Sequence, residues 1–441
     1  MLYLLVIILF FLLILAYYMS NKEIVAPSVL YSFSFFFCSV FALLNYKNWD
    51  LHISLNTFAI VGLSVFEFII FTFVIHKAFS LIGNNHKQSV EKFNIDTTMN
   101  SYPIFNTYVL YVLVLIQIIN IILLWRSLIS ATGQSLLGAM TAYNSDYLSG
   151  DNGISIPRFL TYTSTVNIGT AIYAEYFMSK ILVSTKKIDL RLFFITLLGI
   201  VTSFSYGARG GSINLIITFG VFYFINYLKQ NKKINLKMIL SIMLAIIIVL
   251  ILLNWSANYL NRNEVSENSF EYISTYVGAE LSNLDSFVKM GFFPLHDGRW
   301  GQYTFGNLIS NLANIFNWSI PKLTNIYSYR IVNNYNLGNV YTTFVPWLCD
   351  FGYKGIFYLT LLMAFIAQSC YELAMRSTKH SMEWILFYGA ISPGILLSFF
   401  SNKFYEQINT SLIYYLIIWY VLKHVFFIEN NYKNKGRYKN E

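Results

Sequence analysis

Leu2-Tyr3-Leu4-Leu5-Val6-Ile7-Ile8-Leu9-Phe10-Phe11-Leu12-Leu13-Ile14-Leu15-Ala16-Tyr17-Tyr18-Met19 is an unbroken apolar run without a single charge. A hydrocarbon layer about 30 Å thick is crossed by roughly 20 such residues in a helix, so the stretch reads as a membrane span. No basic residues precede it, no small-residue cleavage site follows it, and Lys22 comes directly after, so it reads as a retained helix. Comparable runs recur along the chain. With 56% hydrophobic residues, 12% charged and a mean hydropathy of +0.53, the composition is unlike that of a water-soluble domain. Ten further spans are expected, at 27–45, 53–75, 104–125, 160–182, 192–206, 211–227, 238–256, 355–375, 383–400 and 408–428. The expected fold is an all-α polytopic membrane protein of about 11 transmembrane helices. Eight lie within 1–256, a polar segment with short helices occupies 257–354, three more helices fill 355–428, and 429–441 is a basic tail.

Loop charges orient these spans, because Lys and Arg in short loops near span ends concentrate on the cytoplasmic side. Lys186, Lys187 and Arg191 mark one inner loop, and Lys229, Lys232, Lys233 and Lys237 another. Simple alternation then places Lys77, Lys87 and Lys92, the pair Arg376 and Lys379, and the tail residues Lys433, Lys435, Arg437 and Lys439 on the same side. The amino terminus is expected outside and the carboxyl terminus in the cytoplasm. Segments 257–354, 127–159, 207–210 and 401–407 are expected on the outer face. The formal charge of +9 follows from this bias. The basic residues form no continuous stripe, so they do not point to nucleic acid.

Several chemistries are disfavoured. Cys38 and Cys370 fall inside spans and Cys349 stands alone on the outer side, so no disulfide framework is implied. The six histidines show no metal-ligand spacing and there is no Cys-x-x-Cys. The chain also lacks a phosphate-cradling Gly-x-x-x-x-Gly-Lys-Ser/Thr loop, a Gly-x-Ser-x-Gly elbow and an Asp-x-Asp pair. An ATP-driven pump and a metal-dependent transferase are thereby disfavoured, and no cofactor is expected. Within the spans Glu67, Glu175 and Glu372 are few and scattered, whereas an ion-coupled transporter keeps several ionisable groups near the midplane. Glu67 and Glu372 read as bundle-facing or end-of-helix carboxylates, and Glu175 is open between that and a functional role.

Candidate functional residues lie on the outer face. Phe204-Ser205-Tyr206-Gly207-Ala208-Arg209-Gly210-Gly211-Ser212 joins two spans with almost no loop and carries one guanidinium. Arg209 suits a diphosphate, which a planar fork binds bidentately, or it anchors a helix end by snorkelling. Residues 270–287 have helical periodicity. Phe293-Pro294-Leu295-His296-Asp297-Gly298-Arg299-Trp300-Gly301-Gln302-Tyr303-Thr304-Phe305-Gly306 packs acid, base and guanidinium into a turn-rich stretch. Trp300, Trp318, Trp347, Tyr303, Tyr327, Tyr329, Tyr335 and Tyr341 supply flat faces on which sugars stack, and a membrane aromatic belt shows the same enrichment.

The hairpin at Arg209, the helix 276–287 with Asp285, the run Gly301-Gln302-Tyr303-Thr304-Phe305-Gly306, and Asn339-Val340-Tyr341-Thr342 followed by Asp350-Phe351-Gly352 and Gly355 resemble the Wzy-type oligosaccharide repeat-unit polymerases, also called O-antigen polymerases. The resemblance covers the whole chain in topology and rests on motifs from about residue 203 to 355. An Arg-x10-Gly pattern of some members can be laid on Arg209 and Gly220, and Arg299 and Arg330 do not reproduce it.

What the resemblance implies is a GT-C-like membrane glycosyltransferase, free of metal and nucleotide, at the bacterial cell membrane. It would move a growing O-antigen or capsular glycan from undecaprenyl diphosphate onto the non-reducing end of a new lipid-linked unit, with inversion. Its partners would be undecaprenyl-diphosphate-linked oligosaccharides, membrane lipid and a chain-length regulator protein. Arg209, aided by Arg299 or Arg330, would hold the diphosphate. Asp350, His296, Asp297 and Glu280 are the candidate bases for the acceptor hydroxyl, although Asp350 equally suits an N-cap and turn. A lipid-linked oligosaccharide flippase, an O-antigen ligase and a non-catalytic assembly component are the alternatives.

Overall fold

The computed structural model describes residues 1–86, 105–149, 153–230, 250–251, 254, 269–377 and 380–427. The described residues are predominantly helical, as expected of an all-α polytopic membrane protein. Its helices are α1 (Leu2–Met19), α2 (Pro27–Leu44), α3 (Leu55–His86), α4 (Thr107–Thr132), α5 (Leu136–Ser149), α6 (Arg158–Thr185), α7 (Leu190–Phe204), α8 (Gly210–Lys229), α9 (Ser269–Met290), α10 (Gly306–Phe316), α11 (Phe344–Arg376), α12 (Ser381–Leu396), α13 (Lys403–Gln407) and α14 (Thr410–Val425). Among the described residues α1, α2, α3, α4, α8 and α11, six in all, are long and apolar enough to cross a membrane, and α7 and α14 are shorter apolar helices. Most of the expected span 238–256, the lysines at 87, 92, 232, 233, 237 and 379, and the tail 429–441 lie outside the described residues.

Boundaries depart from the sequence expectation where local polarity misleads. The span expected from Gly355 is the second arm of α11, which begins at Phe344 and bends at Gly352, whose φ of 62° and ψ of −155° interrupt the helical path. Asp350 and Lys354 make the sequence around the bend look like loop. Yet Phe344, Val345, Pro346, Trp347 and Leu348 in the first arm are all buried. Likewise α5 lies inside the segment expected as the outer loop 127–159. A two-stranded hairpin, β1 (Arg330–Val332) and β2 (Tyr335–Gly338), stands in the polar segment where only short helices were expected. Its turn residues Asn333 and Asn334 have φ of 49° and 65°. Such left-handed pairs make the tight turns whose twist suits a hairpin, and Asn tolerates them.

The chain divides into two compact units, Met1–His86 with Ile213–Leu412, and Lys87–Ser212 with Ile413–Glu441. In the first, α2 packs against α1, α3, α9 and α12. Tyr31 of α2 stacks on Phe68 of α3 with ring centroids 4.3 Å apart, and Phe35 stacks on Phe344 of α11 at 5.1 Å. Between helices in lipid, close packing replaces the hydrophobic effect as the source of stability, so small residues matter at the contacts. A Cβ on Gly278 would stand 2.6 Å from the backbone nitrogen of Ala42, and one on Gly389 would overlap the Phe222 ring.

The second unit contains α4, α5, α6 and α7, with polar side chains running through its interior. The Asn167 amide donates to Asn120 Oδ1 at 2.9 Å, Ser164 Oγ donates to the same oxygen at 3.2 Å, and Gln117 Nε2 donates to the Ile195 carbonyl at 3.2 Å. Trp419 Nε1 donates to the Gly169 carbonyl at 2.9 Å. Where α7 turns into α8, Gly207 has φ of 69°, and a Cβ there would collide with the Met140 carbonyl of α5. Glycine at 207 is therefore dictated both by backbone sign and by the neighbouring helix.

Candidate functional site

The candidate site belongs to the first unit and is built from three short segments. Residues 291–305 leave α9 and fold back onto the first arm of α11, where Leu295 N–H donates to the Cys349 carbonyl at 2.7 Å. Gly301, with φ of 78°, starts a turn in which Thr304 and Phe305 N–H both point at its carbonyl, 3.1 and 2.8 Å away. Asp350 locks that turn from α11. Its Oδ1 accepts Tyr303 N–H at 3.2 Å and its Oδ2 accepts Thr304 N–H at 2.6 Å. Both carboxylate oxygens are thus held by backbone, which is the turn function that an Asp in this position equally suits.

Asn402, between α12 and α13, ties the other end. Its Nδ2 donates to the Thr304 carbonyl at 2.6 Å, while its Oδ1 accepts Trp347 Nε1 at 2.9 Å. Thr343 N–H reaches the Ser398 carbonyl at 3.0 Å, and Asn307 Nδ2 reaches the Glu406 carbonyl at 3.0 Å. Residues 301–307, 343–350 and 398–406 therefore form one hydrogen-bonded platform. Asn402 escaped the sequence reading, because a lone asparagine in a short loop carries no motif.

The four candidate bases are placed very differently. Asp297 accepts the Thr324 N–H at 2.8 Å and lies 2.9 Å from the Tyr303 hydroxyl. Burial alone would raise its carboxyl, but the hydrogen bonds from Thr324 and Tyr303 outweigh it and hold the group below the usual carboxylate range. Burial, reinforced by the hydrogen bond to Asp297, pushes the Tyr303 hydroxyl up. Tyr303 thereby links Asp297 through its side chain to Asp350 through its backbone. His296 is exposed, with no hydrogen bond among the described residues. Glu280, on α9, has 0% exposure and neither carboxylate oxygen has a partner among the described residues.

The arginines separate as well. Arg330 is half-buried and serves α9, donating through Nη1 to the Ser282 carbonyl at 2.8 Å and to Asn283 Oδ1 at 3.0 Å. Asn283 in turn donates to the carbonyls of Leu337 and Val340, which seats the β-hairpin and the start of the Asn339-Val340-Tyr341-Thr342 motif on α9. Asp285, the motif acid of the same helix, accepts Ser54 N–H at 2.7 Å and pairs with Lys289 at 2.6 Å. Arg209 lies in the second unit, 9% exposed and engaged rather than projecting as a bare anchor.

Arg299 is exposed and borders an open groove of about 380 Å³ lined also by Trp300, Ile309, Asn317, Trp318 and Ser319. The two indoles meet edge to face, 5.6 Å apart at 79°. Phe316 stacks behind Trp318 at 5.1 Å and 21°. Among the described residues no group of three or more His, Cys, Asp and Glu side chains could hold a metal ion. No protein-family model matches the chain, and neither the curated proteins nor the solved structures yield a match.

Proposed function

We propose that the chain polymerises lipid-linked oligosaccharide repeat units, transferring a growing glycan from its undecaprenyl diphosphate onto a new unit at the outer face of a cell membrane. The observation that carries this reading is the platform. It ties the Gly301 to Gly306 run to Asp350 by backbone hydrogen bonds and to Asp297 through the Tyr303 hydroxyl, next to the Thr342 motif, at one end of a helical unit whose other end is basic. At that other end Arg376 pairs with Glu372, and Lys229 Nζ donates to the Ala374 carbonyl and to Ser381 Oγ, each at 2.8 Å. Basic residues favour the cytoplasmic side, so the platform is assigned to the outside. The full count of eleven spans, the GT-C-like architecture, an outer amino terminus and a cytoplasmic carboxyl terminus belong to the same proposal.

Chemically, the donor sugar already carries a diphosphate leaving group. The protein then needs cations to hold the charge that develops as the bond breaks, and a group to accept the proton of the acceptor hydroxyl. Arg209 is the proposed diphosphate ligand. His296 is the base candidate least committed to holding the fold, since Asp350 clamps a turn, Asp297 is held by the Thr324 N–H and the Tyr303 hydroxyl, and Glu280 is sealed from solvent.

The test replaces Arg209 with Ala, with Arg209→Lys as the folding control, and reads the length of the surface glycan. Single repeat units at normal protein level support the polymerase. Complete loss of surface glycan indicates a flippase or ligase, and unchanged chain length removes Arg209 from the site.

A further inference from the structure

The groove beside Arg299 is not explained by the platform's hydrogen bonds. We propose that it is a saccharide subsite that takes an acidic sugar, with a ring face on the indoles of Trp300 and Trp318 and a carboxylate or phosphate on the Arg299 guanidinium. This rests on the glycan polymerase reading for the source of the sugar, and it can be tested without activity.

Several features converge on that ligand. Its volume of about 380 Å³ lies in the range of about 300–1,000 Å³ usual for small-molecule sites. Trp300 and Trp318 are 72% and 45% exposed, so their faces are open. The edge-to-face angle of 79° makes a corner with two walls. A pyranose has one face of C–H bonds, which packs on an indole, and a rim of hydroxyls that need donors and acceptors. Asn317 and Ser319 supply them on the same lining. Arg299 is the one charged residue of the lining, and its guanidinium has no hydrogen bond or ion pair among the described residues. An unopposed guanidinium selects an anion, and its planar fork fits a carboxylate or phosphate.

The walls are also set in advance. Phe316 stacks against Trp318. Trp300 has φ of 53°, a left-handed conformation that is a genuine outlier for a bulky residue and is kept only where the surroundings over-determine it. Gln302 holds that loop from within, accepting Arg299 N–H at 3.3 Å and donating to the Pro321 carbonyl at 2.8 Å. Indoles that merely anchored the protein in lipid would need neither a concave shape nor a polar lining.

Purified full-length protein in phosphatidylethanolamine/phosphatidylglycerol nanodiscs is titrated with tetragalacturonate and with its carboxyl-reduced, neutral form, followed by saturation-transfer NMR. The acidic tetrasaccharide should bind saturably and better than the neutral one. Arg299→Gln should weaken the acidic ligand by about tenfold, the scale of one charge-assisted hydrogen bond, and leave the neutral ligand unchanged. Trp318→Ala should abolish both, and Trp318→Phe, which keeps a flat ring, should retain part of the binding. Absence of saturable binding overturns the proposal, as does equal binding by Arg299→Gln. Strong quenching of Trp318 fluorescence by brominated lipid also overturns it, because the groove would then face the bilayer. The Arg209 experiment leaves the groove intact, so failure of the polymerase reading and failure of the subsite are separately visible.

Discussion

The platform of the first unit and the interhelical polar seam of the second both bury hydrogen-bonding groups, yet they treat them in opposite ways. In the platform, the side chains of Asp350, Asn402 and Gln302 are spent on named partners, mostly backbone groups, and Ser401 Oγ alone is buried without one among the described residues. In the seam, Gln117 Oε1, Asn167 Oδ1, Thr170 Oγ1, Thr196 Oγ1 and both oxygens of Glu175 are buried without a partner among the described residues. A satisfied network specifies one backbone arrangement, whereas spare buried acceptors are a standing cost. The difference teaches that the motif residues outside the spans are there first to fold an irregular segment, and that polarity inside the bundle is not by itself evidence of order.

The strongest test of that contrast is Asp350→Ala. It strands the Tyr303 N–H and leaves the Thr304 N–H only its bond to the Gly301 carbonyl, and at about 1–3 kcal/mol for an unsatisfied donor plus about 1 kcal/mol for the weakened one should destabilise the platform by about 3 kcal/mol. Limited proteolysis within 291–305 reads the loss, and Asp350→Asn, which keeps one acceptor, should show about half of it. Next is Gly207→Ala in the second unit. The left-handed φ costs roughly 1–2 kcal/mol and the collision with the Met140 carbonyl adds overpacking, so a loss of about 3 kcal/mol is expected in the thermal stability of the detergent-solubilised protein.

Glu175→Leu should go the other way. Removing an unpaired buried carboxylate leaves the melting temperature unchanged or raised, while Asn120→Leu, which takes the acceptor from Asn167 and Ser164, should cost about 0.6 kcal/mol, the average for such bonds between membrane helices. A fall in stability for Glu175→Leu would mean that the seam is satisfied after all.

The smallest expected effect is that of pH on the Asp297 clamp. Its carboxyl is held below the usual range, so its contribution is complete above the unfolded value of about 3.9 and is lost as pH falls through the lower folded value. Amide exchange at Thr324 should therefore be flat from neutral pH down to about 4, near the unfolded value, once the intrinsic exchange rate is divided out, and protection should fall as pH drops from there through the lower folded value. Asp297→Asn should flatten the acid limb.

Much of the fold was legible because lipid imposes a simple rule. An uncharged run long enough to cross it, such as 2–19, becomes α1 with the same limits. Helix 270–287 was legible for the same periodic reason and appears within α9. The site was legible only as a set of places. The stretches 293–306 and 339–352 were identified as polar and motif-bearing, but nothing in their order says that Tyr303 joins Asp297 to Asp350, or that Asn402 would hold both segments. Nor does the sequence distinguish four similar acids and bases from one another.

The sequence by itself determined the solvent, the helical class and where polar residues concentrate, since those depend on composition and on spacing along one strand of chain. Tertiary structure alone decided that Asp350 clamps a turn, that Glu280 is sealed, that Arg330 serves α9, and that Arg299 borders a groove with two tryptophans. Burial and hydrogen-bond partnership are set by residues far apart in the chain, as with Asn402 and Thr304, and become properties of a side chain only when the backbone brings those partners together.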